Sequence, residues 1–160
     1  MTKPLLFFET VVIPNIHAVE AAPDDMRLVV NAILTLDALV GILLEHLRAA
    51  GHPEVADLKG DEGFRDRLAG RCPGYAAIRD ASAALKHGAL TYGKKARVIR
   101  MPDQIQSTEN VLGLFAIDDE IGGHIAVLCL EGGVDAVRVD DAMAATCREV
   151  LPLLRWAPAS

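Results

Sequence analysis

The first half of the chain has apolar residues at helical spacing. In residues 5–20 they recur every three or four positions, at Leu5, Phe8, Val12, Ile16 and Val19. This spacing predicts a first helix, which Pro14 should kink or break because proline has no amide hydrogen to donate. Residues 25–50 are apolar on almost every face. They predict a long second helix at the centre of a bundle, ended by Gly51 and Pro53.

The following segment carries weaker helical signals. Residues 55–58 and 62–69 each predict a short helical piece. A third major helix should begin beside Pro73, because proline is well tolerated in a first helical turn. It should end at Gly88, because glycine readily adopts the left-handed conformation that closes a helix.

After Gly93 the apolar pattern changes from helical to extended. It predicts four strands, at residues 96–101, 111–117, 124–130 and 134–139, with a polar loop over residues 102–110. Strands joined by short turns must run antiparallel. The third strand is apolar on both faces and should therefore be central in the sheet.

A last helix should be capped by Asp140 or Asp141 and pack its apolar side chains on the core. The chain thus has the α+β class: mainly an α-helical bundle of about four helices, with an antiparallel three- to four-stranded β-meander before the C-terminal helix. We expect one domain over residues 1–160, with a helical part at 5–92, the meander at 95–139 and the C-terminal helix at 140–156.

The net charge, the cysteines and the apolar stretches of the chain limit which partners and which location are expected. The 160 residues include 16 Lys and Arg against 22 Asp and Glu, a formal net charge of −6. Nucleic acid is therefore not an expected partner, because phosphate-backbone binding relies on many cations. The three cysteines form no CxxC pair and predict reduced thiols in a cytoplasmic protein. The apolar stretch 28–44 is interrupted by polar residues, which favours a buried core helix over a membrane span.

The predicted third helix carries the main polar chemistry. Arg79, Asp80, Lys86 and His87 lie on an element otherwise rich in alanine. Asp80 and His87 are seven residues apart, so they share a face about 10 Å apart along the helix. Both side chains could line one groove between the third and second helices, opposite Asn31 or His46 of the second helix.

A structural interpretation of the same residues is also available. His87 would interact with the helix dipole at a C-terminus, and Asp80 would accept hydrogen bonds from Arg27 or Asn31 because buried charges are normally paired. If the groove binds a ligand, the candidate contacts are Arg27, Asn31 and Lys86.

Other chemistries lack a motif. The chain has no His-x-x-x-His or Glu-x-x-His pair of the kind that holds a metal in a bundle. It has no Gly-x-Ser-x-Gly elbow and no glycine-rich phosphate loop. We therefore expect neither a metal nor another cofactor.

The segment Arg79–Asp80 through Lys86–His87, followed by Leu90, resembles a pattern in uncharacterised bacterial helical proteins similar to the HEPN class of four-helix domains. Residues 8–15 and 27–32 resemble the first two helices of that group. The resemblance implies a metal-independent ribonuclease in which Arg79, Asp80 and His87 promote attack by an RNA 2′-hydroxyl. Seven residues separate Arg79 from His87, one more than the class's usual four to six.

Three functions follow from these observations. We prefer a soluble, non-catalytic helical module that forms a homodimer and binds a partner or a small ligand, without membrane contact. The first alternative is a HEPN-type ribonuclease that uses Arg79 and His87. The second is a small-molecule enzyme with Asp80 and His87 as acid and base. A filled helix interface favours the first function, a basic groove the second, and a deep closed pocket the third.

Overall fold

The computed structural model describes residues 2–90, 96–109, 114, 116, 119, 123–133 and 135–156. Its helices and strands in chain order are α1 (Lys3–Phe7), a π-helical turn (Phe8–Val12), α2 (Ile13–Ala21), α3 (Met26–Ala49), a 3-10 turn (Pro53–Val55), α4 (Asp61–Arg71), α5 (Pro73–His87), a 3-10 turn (Pro102–Gln104), β1 (Ile105–Glu109), β2 (His124–Cys129), β3 (Ala136–Arg138) and α6 (Val139–Leu154). The α+β class is confirmed: a helical bundle carries a small antiparallel sheet before its last helix.

The first predicted helix is divided by a π-helical turn. Pro14 lies in the first turn of α2, immediately after the turn Phe8–Val12. Proline cannot donate to the carbonyl four residues earlier, and its ring crowds that carbonyl. A locally widened turn relieves the crowding, so the chain passes through Pro14 without leaving the helix.

Helix α3 is the central element of the bundle. Asp25 caps it by accepting a hydrogen bond from the Arg27 amide at 3.0 Å, and the helix packs against α1, α2, α5 and α6. By length and composition alone α3 could cross a membrane, but half of its most apolar stretch is buried inside the fold. Its buried side chains belong to the hydrophobic core.

Helix α5 lies in contact with α3, α4 and α6. Its predicted ends are confirmed, with Pro73 in the first turn and Gly88 at the C-cap with φ 72°. Gly74 permits close packing against α6, because a Cβ atom there would lie 2.9 Å from the Ala142 carbonyl oxygen.

The sheet has the order β1-β2-β3, and both pairs are antiparallel. Ser107 is opposite Ala126, and Leu128 is opposite Val137. The prediction that β2 is central is confirmed for the described strands. Ile105, Ala126 and Leu128 join the helices in one hydrophobic core.

The predictions for the first strand and for the loop after it need correction. Residues 96–101 are irregular rather than a strand, and β1 forms instead within the predicted loop 102–110. We call residues 96–101 the strap. Its backbone bonds two separate segments, since the Leu90 amide donates to the Arg100 carbonyl and the Glu131 amide to the Val98 carbonyl, each at 2.8 Å. The predicted strand 111–117 falls largely outside the described residues.

The end of the sheet differs slightly from prediction. Strand β3 is predicted at 134–139 but covers Ala136–Arg138, and it ends one residue early because α6 already begins at Val139. Asp140 and Asp141 lie in the first turn of α6 rather than before it. Negative side chains there still favour the helix through its dipole.

Candidate functional site

A cleft of about 290 Å³ lies beside the C-terminal half of α5. Its lining comes from α3, α4, α5 and the strap: Asp37, Asp61, Glu62, Arg65, Asp66, Arg79, Ala83, Lys86, His87 and Arg97. We call it the charged cleft, because nine of these ten side chains are ionisable. It contains three of the candidate residues taken from the sequence, namely Arg79, Lys86 and His87.

Asp37 is the buried anchor of the charged cleft. It lies in the middle of α3 and is 4% exposed. One carboxylate oxygen accepts from Arg65 and, at 3.3 Å, from the Tyr75 hydroxyl. The other accepts from the Ser82 hydroxyl at 2.8 Å and from the Lys86 ammonium at 3.0 Å. Four donors from α4 and α5 thus compensate a charge that burial alone would strongly disfavour.

The neighbours of Asp37 hold fixed protonation states. Burial lowers the pKa of Arg65, but Tyr75, Asp37 and Asp61 outweigh it and raise that pKa above its ordinary value. Burial raises the pKa of Tyr75, and the Asp37 charge raises it further. Arg65 therefore stays a cation and Tyr75 stays a neutral phenol, so both remain hydrogen-bond donors at neutral pH.

Asp80 lies beneath the cleft, not in its wall, and is 1% exposed. One of its oxygens accepts from Arg79 at 3.0 Å and Arg97 at 2.6 Å. The other accepts from the Val98 amide at 2.8 Å. Asp80 thereby ties the strap to α5. Asp80 and His87 do not both face the cleft, because only His87 lines it.

Arg79 links the two helices at the edge of the cleft. Its guanidinium donates to Asp66 of α4 at 2.9 Å as well as to Asp80 of α5. His87 is exposed in the last turn of α5, next to the Gly88 cap. Both ends of the Arg79–His87 pattern therefore reach one cavity, although the arginine is already held by two carboxylates.

Arg27 and Asn31 lie away from the cleft, and both are exposed. Arg27 forms an ion pair with Asp25 at 2.6 Å, so the expectation that it or Asn31 pairs with Asp80 is wrong. The expected internal hydrogen bond of the Asn31 amide is also wrong for the described residues. The side chain of Asn31 bonds none of the described residues, and its backbone carbonyl accepts a hydrogen bond from the Thr35 hydroxyl at 2.8 Å.

Sequence reasoning missed the residues that build the cleft, above all Asp37, Arg65 and Arg97. Asp37 had a usable signal, because a carboxylate within an apolar central helix needs a buried partner. Arg65 follows Asp61 at i+4, a spacing that places the two on one helix face, and they bond at 2.6 Å. Arg97 gave no comparable signal, since its role depends on where the strap lies.

The described residues contain no group of three or more His, Cys, Asp or Glu side chains placed to hold a metal ion. Comparison of the chain with protein-family models, with curated proteins and with solved structures found no match. The resemblance to HEPN domains consequently stays a prediction.

Proposed function

We propose that the chain is a non-catalytic helical module that binds a small polar ligand in the charged cleft. The observation that carries this proposal is the combination of a cavity of about 290 Å³ with a lining that is almost wholly ionisable. Sites for apolar ligands are lined mainly by hydrophobic and aromatic side chains. A ligand for this cleft is therefore small, water-soluble and recognised through charge and hydrogen bonding.

The state of Asp80 supports a role without catalysis. A general acid or base must come within hydrogen-bond reach of the substrate. Asp80 is buried, does not line the cleft, and accepts hydrogen bonds from Arg79, Arg97 and the Val98 amide. An acid–base pair of Asp80 and His87 acting on a substrate in the cleft is not supported by this geometry.

A cleft-filling substitution tests the proposal. Ala83 is half-buried in the lining, so Ala83→Leu places a larger side chain in the cavity. Ala144→Leu is the matched control, because Ala144 is exposed on α6 and lies outside the cleft lining. Both variants and the parent would be screened by thermal unfolding against a library of small amino acids, carboxylates, phosphates and amines.

We expect a compound of the library to raise the unfolding temperature of the parent and of Ala144→Leu, but not of Ala83→Leu. A ligand at 100 times its Kd stabilises the folded state by about 2.7 kcal/mol, which shifts the melting temperature of a domain this size by several degrees. If no compound stabilises the parent, or if Ala83→Leu responds like the control, the proposal fails.

A HEPN-type ribonuclease is the second candidate. It is favoured by one observation, that Arg79 and His87 line the same cavity. Against it, the Arg79 guanidinium is engaged by Asp66 and Asp80, and the chain's net charge of −6 repels RNA. RNA cleavage that persists in EDTA and is lost in His87→Ala would establish this candidate in place of the binding module.

The homodimer, the cytoplasmic location and the lack of membrane contact stay predictions from sequence. Sedimentation equilibrium would test the first. A molar mass near 34 kDa, about twice the 17.1 kDa of one chain, is the result that the dimer prediction requires.

A further inference from the structure

His52 is a buried histidine at the junction between α3 and the 3-10 turn Pro53–Val55, and it is 9% exposed. Its backbone amide donates to the Leu47 carbonyl at 2.9 Å, and Gly51 before it has φ 69°. His52 thus completes the left-handed ending of α3. Its side chain caps the 3-10 turn, because Nδ1 accepts a hydrogen bond from the Glu54 amide at 3.1 Å. Backbone and side chain together fix the position of the ring.

The His52 ring contacts a residue at the end of α6. The rings of His52 and Trp156 meet edge to face, with their centroids 4.5 Å apart and an angle of 75° between their planes. Trp156 follows Arg155, the C-cap of α6, and packs partly buried against the hydrophobic core. The ring contact therefore joins the C-terminal end of α6 to the turn that follows α3.

The contacts of His52 require a neutral imidazole. A ring nitrogen that accepts a hydrogen bond carries no proton, whereas both ring nitrogens of an imidazolium carry one. Protonation would therefore place an Nδ1 hydrogen against the amide hydrogen of Glu54 and remove the cap of the turn. It would also place a positive charge at a position from which water is almost excluded.

The charged groups on the elements around His52 do not balance such a charge. The Glu54 carboxylate of the same turn and the Glu149 carboxylate of α6 both bond Arg71 of α4. The face of an indole attracts cations, but an imidazolium that stays beside Trp156 keeps its Nδ1 hydrogen against the Glu54 amide. The other titratable groups at these element ends are Arg48, which pairs with Glu45, His46, Arg67, which pairs with Asp57, and Arg155.

We propose that His52 is a pH-sensitive latch for the C-terminal end of α6. The neutral ring caps the turn Pro53–Val55 and holds Trp156. Acidification from about pH 8 to about pH 5, the range in which imidazoles titrate, protonates the ring, releases the cap and separates the two rings. This inference does not involve the charged cleft, so it stands or falls independently of the proposed function.

The fluorescence of Trp156 tests the latch directly, because this residue is the only tryptophan of the chain. Indole emission moves to longer wavelength when the ring enters water, and the emission would be recorded from about pH 8 to about pH 5. We expect a reversible shift to longer wavelength that follows the titration of one group, with the far-UV circular dichroism nearly unchanged. The NMR shift of the Glu54 amide proton should follow the same curve, which provides a second readout in the parent.

A matched pair of variants assigns the effect to His52. His52→Asn keeps a side-chain acceptor at the N-cap, where asparagine is favoured, but removes the titrating group. We expect its emission to be the same at both ends of the pH range. His17→Asn is the control, because His17 is exposed on α2, and it should keep the emission shift of the parent.

Several results would overturn the latch. It is wrong if the emission of the parent does not shift with pH, or if the shift persists in His52→Asn. It is also wrong if the emission only loses intensity at constant wavelength, because the imidazolium has then stayed in contact with the indole. Loss of far-UV circular dichroism over the same range would reject a local release in favour of global unfolding. If His52→Asn does not fold, the Glu54 amide proton decides, since a shift that departs from the emission curve rejects the latch.

Discussion

Replacing Asp80 should detach the strap from α5 and destabilise the whole fold. In Asp80→Ala the Arg97 guanidinium and the Val98 amide lose the acceptor that they share, while Arg79 keeps its second partner, Asp66. Removing one member of a buried charge pair costs about 3–5 kcal/mol, because the remaining charge is buried without compensation. Arg97 is about one quarter exposed, so water will relieve part of this cost. We therefore expect the free energy of unfolding of Asp80→Ala to fall by about 3 kcal/mol.

Asp80→Asn separates the charge from the hydrogen bonds. The amide oxygen can still accept from Val98, but the amide nitrogen has no acceptor among the donors around it, so we expect an intermediate loss of about 1–3 kcal/mol. Urea unfolding followed by far-UV circular dichroism measures both variants, and amide exchange at Val98 reports on the strap alone. Asp103→Ala, at an exposed position, is the control and should leave the midpoint unchanged.

A particular result would refute this reasoning. If Asp80→Ala unfolds at the same urea concentration as Asp103→Ala, the buried contacts of Asp80 contribute nothing net to stability. If stability falls while exchange at Val98 is unaltered, Asp80 supports the helices but does not hold the strap.

Three further predictions concern packing, exposure and pH. Gly74→Ala should lower the free energy of unfolding by about 1–3 kcal/mol, because the new methyl group would lie 2.9 Å from the α6 backbone. Gly70→Ala, where nothing lies within 4 Å of the new methyl group, should instead raise it by up to about 1 kcal/mol. Urea unfolding of the two variants side by side distinguishes these outcomes. Asn31→Leu should change stability by less than about 0.5 kcal/mol because the side chain is exposed, and a larger loss would mean that its amide is engaged. The pKa of Tyr75 is raised in the folded chain, so folding favours its protonated form. Its contribution to the free energy of unfolding is therefore complete below the unfolded pKa of about 10 and declines as the pH rises above that value. The stability advantage of the parent over Tyr75→Phe should therefore stay constant up to about pH 10 and shrink above it, and an advantage that grows above about pH 10 would contradict the shift.

The helices were predictable because their signals are local. Pro73 and Gly88 bracket α5, and each acts through its own backbone conformation. The strap was mistaken for a strand because it contains the β-branched pair Val98 and Ile99, residue types that are enriched in strands. In the fold the Val98 amide bonds Asp80 and the Arg100 amide bonds Gln104 at 2.7 Å, and no local pattern reveals such tertiary acceptors.

The polar residues of α3 illustrate a second limit. Asn31 and Asp37 both interrupt an apolar helix, and the sequence analysis placed Asn31 rather than Asp37 beside the candidate groove. At about 100° per residue the two are separated by roughly 240° around the helix axis, so both cannot face the same neighbours. Asp37 faces α4 and α5 and is buried, whereas Asn31 is exposed. The choice between them depends on the positions of the other helices, which the helical period alone does not supply.

The same contacts that stabilise the fold also shape the candidate site. Asp37 binds donors from α4 and α5, and Asp80 binds donors from α5 and the strap. Each buried carboxylate therefore fixes the relative position of cations that line the cleft. Because these cations are already held in place, a ligand need not pay the entropic cost of ordering them. Carboxylates that are fully engaged in this way preorganise the surface of the cleft, as the proposed binding role requires.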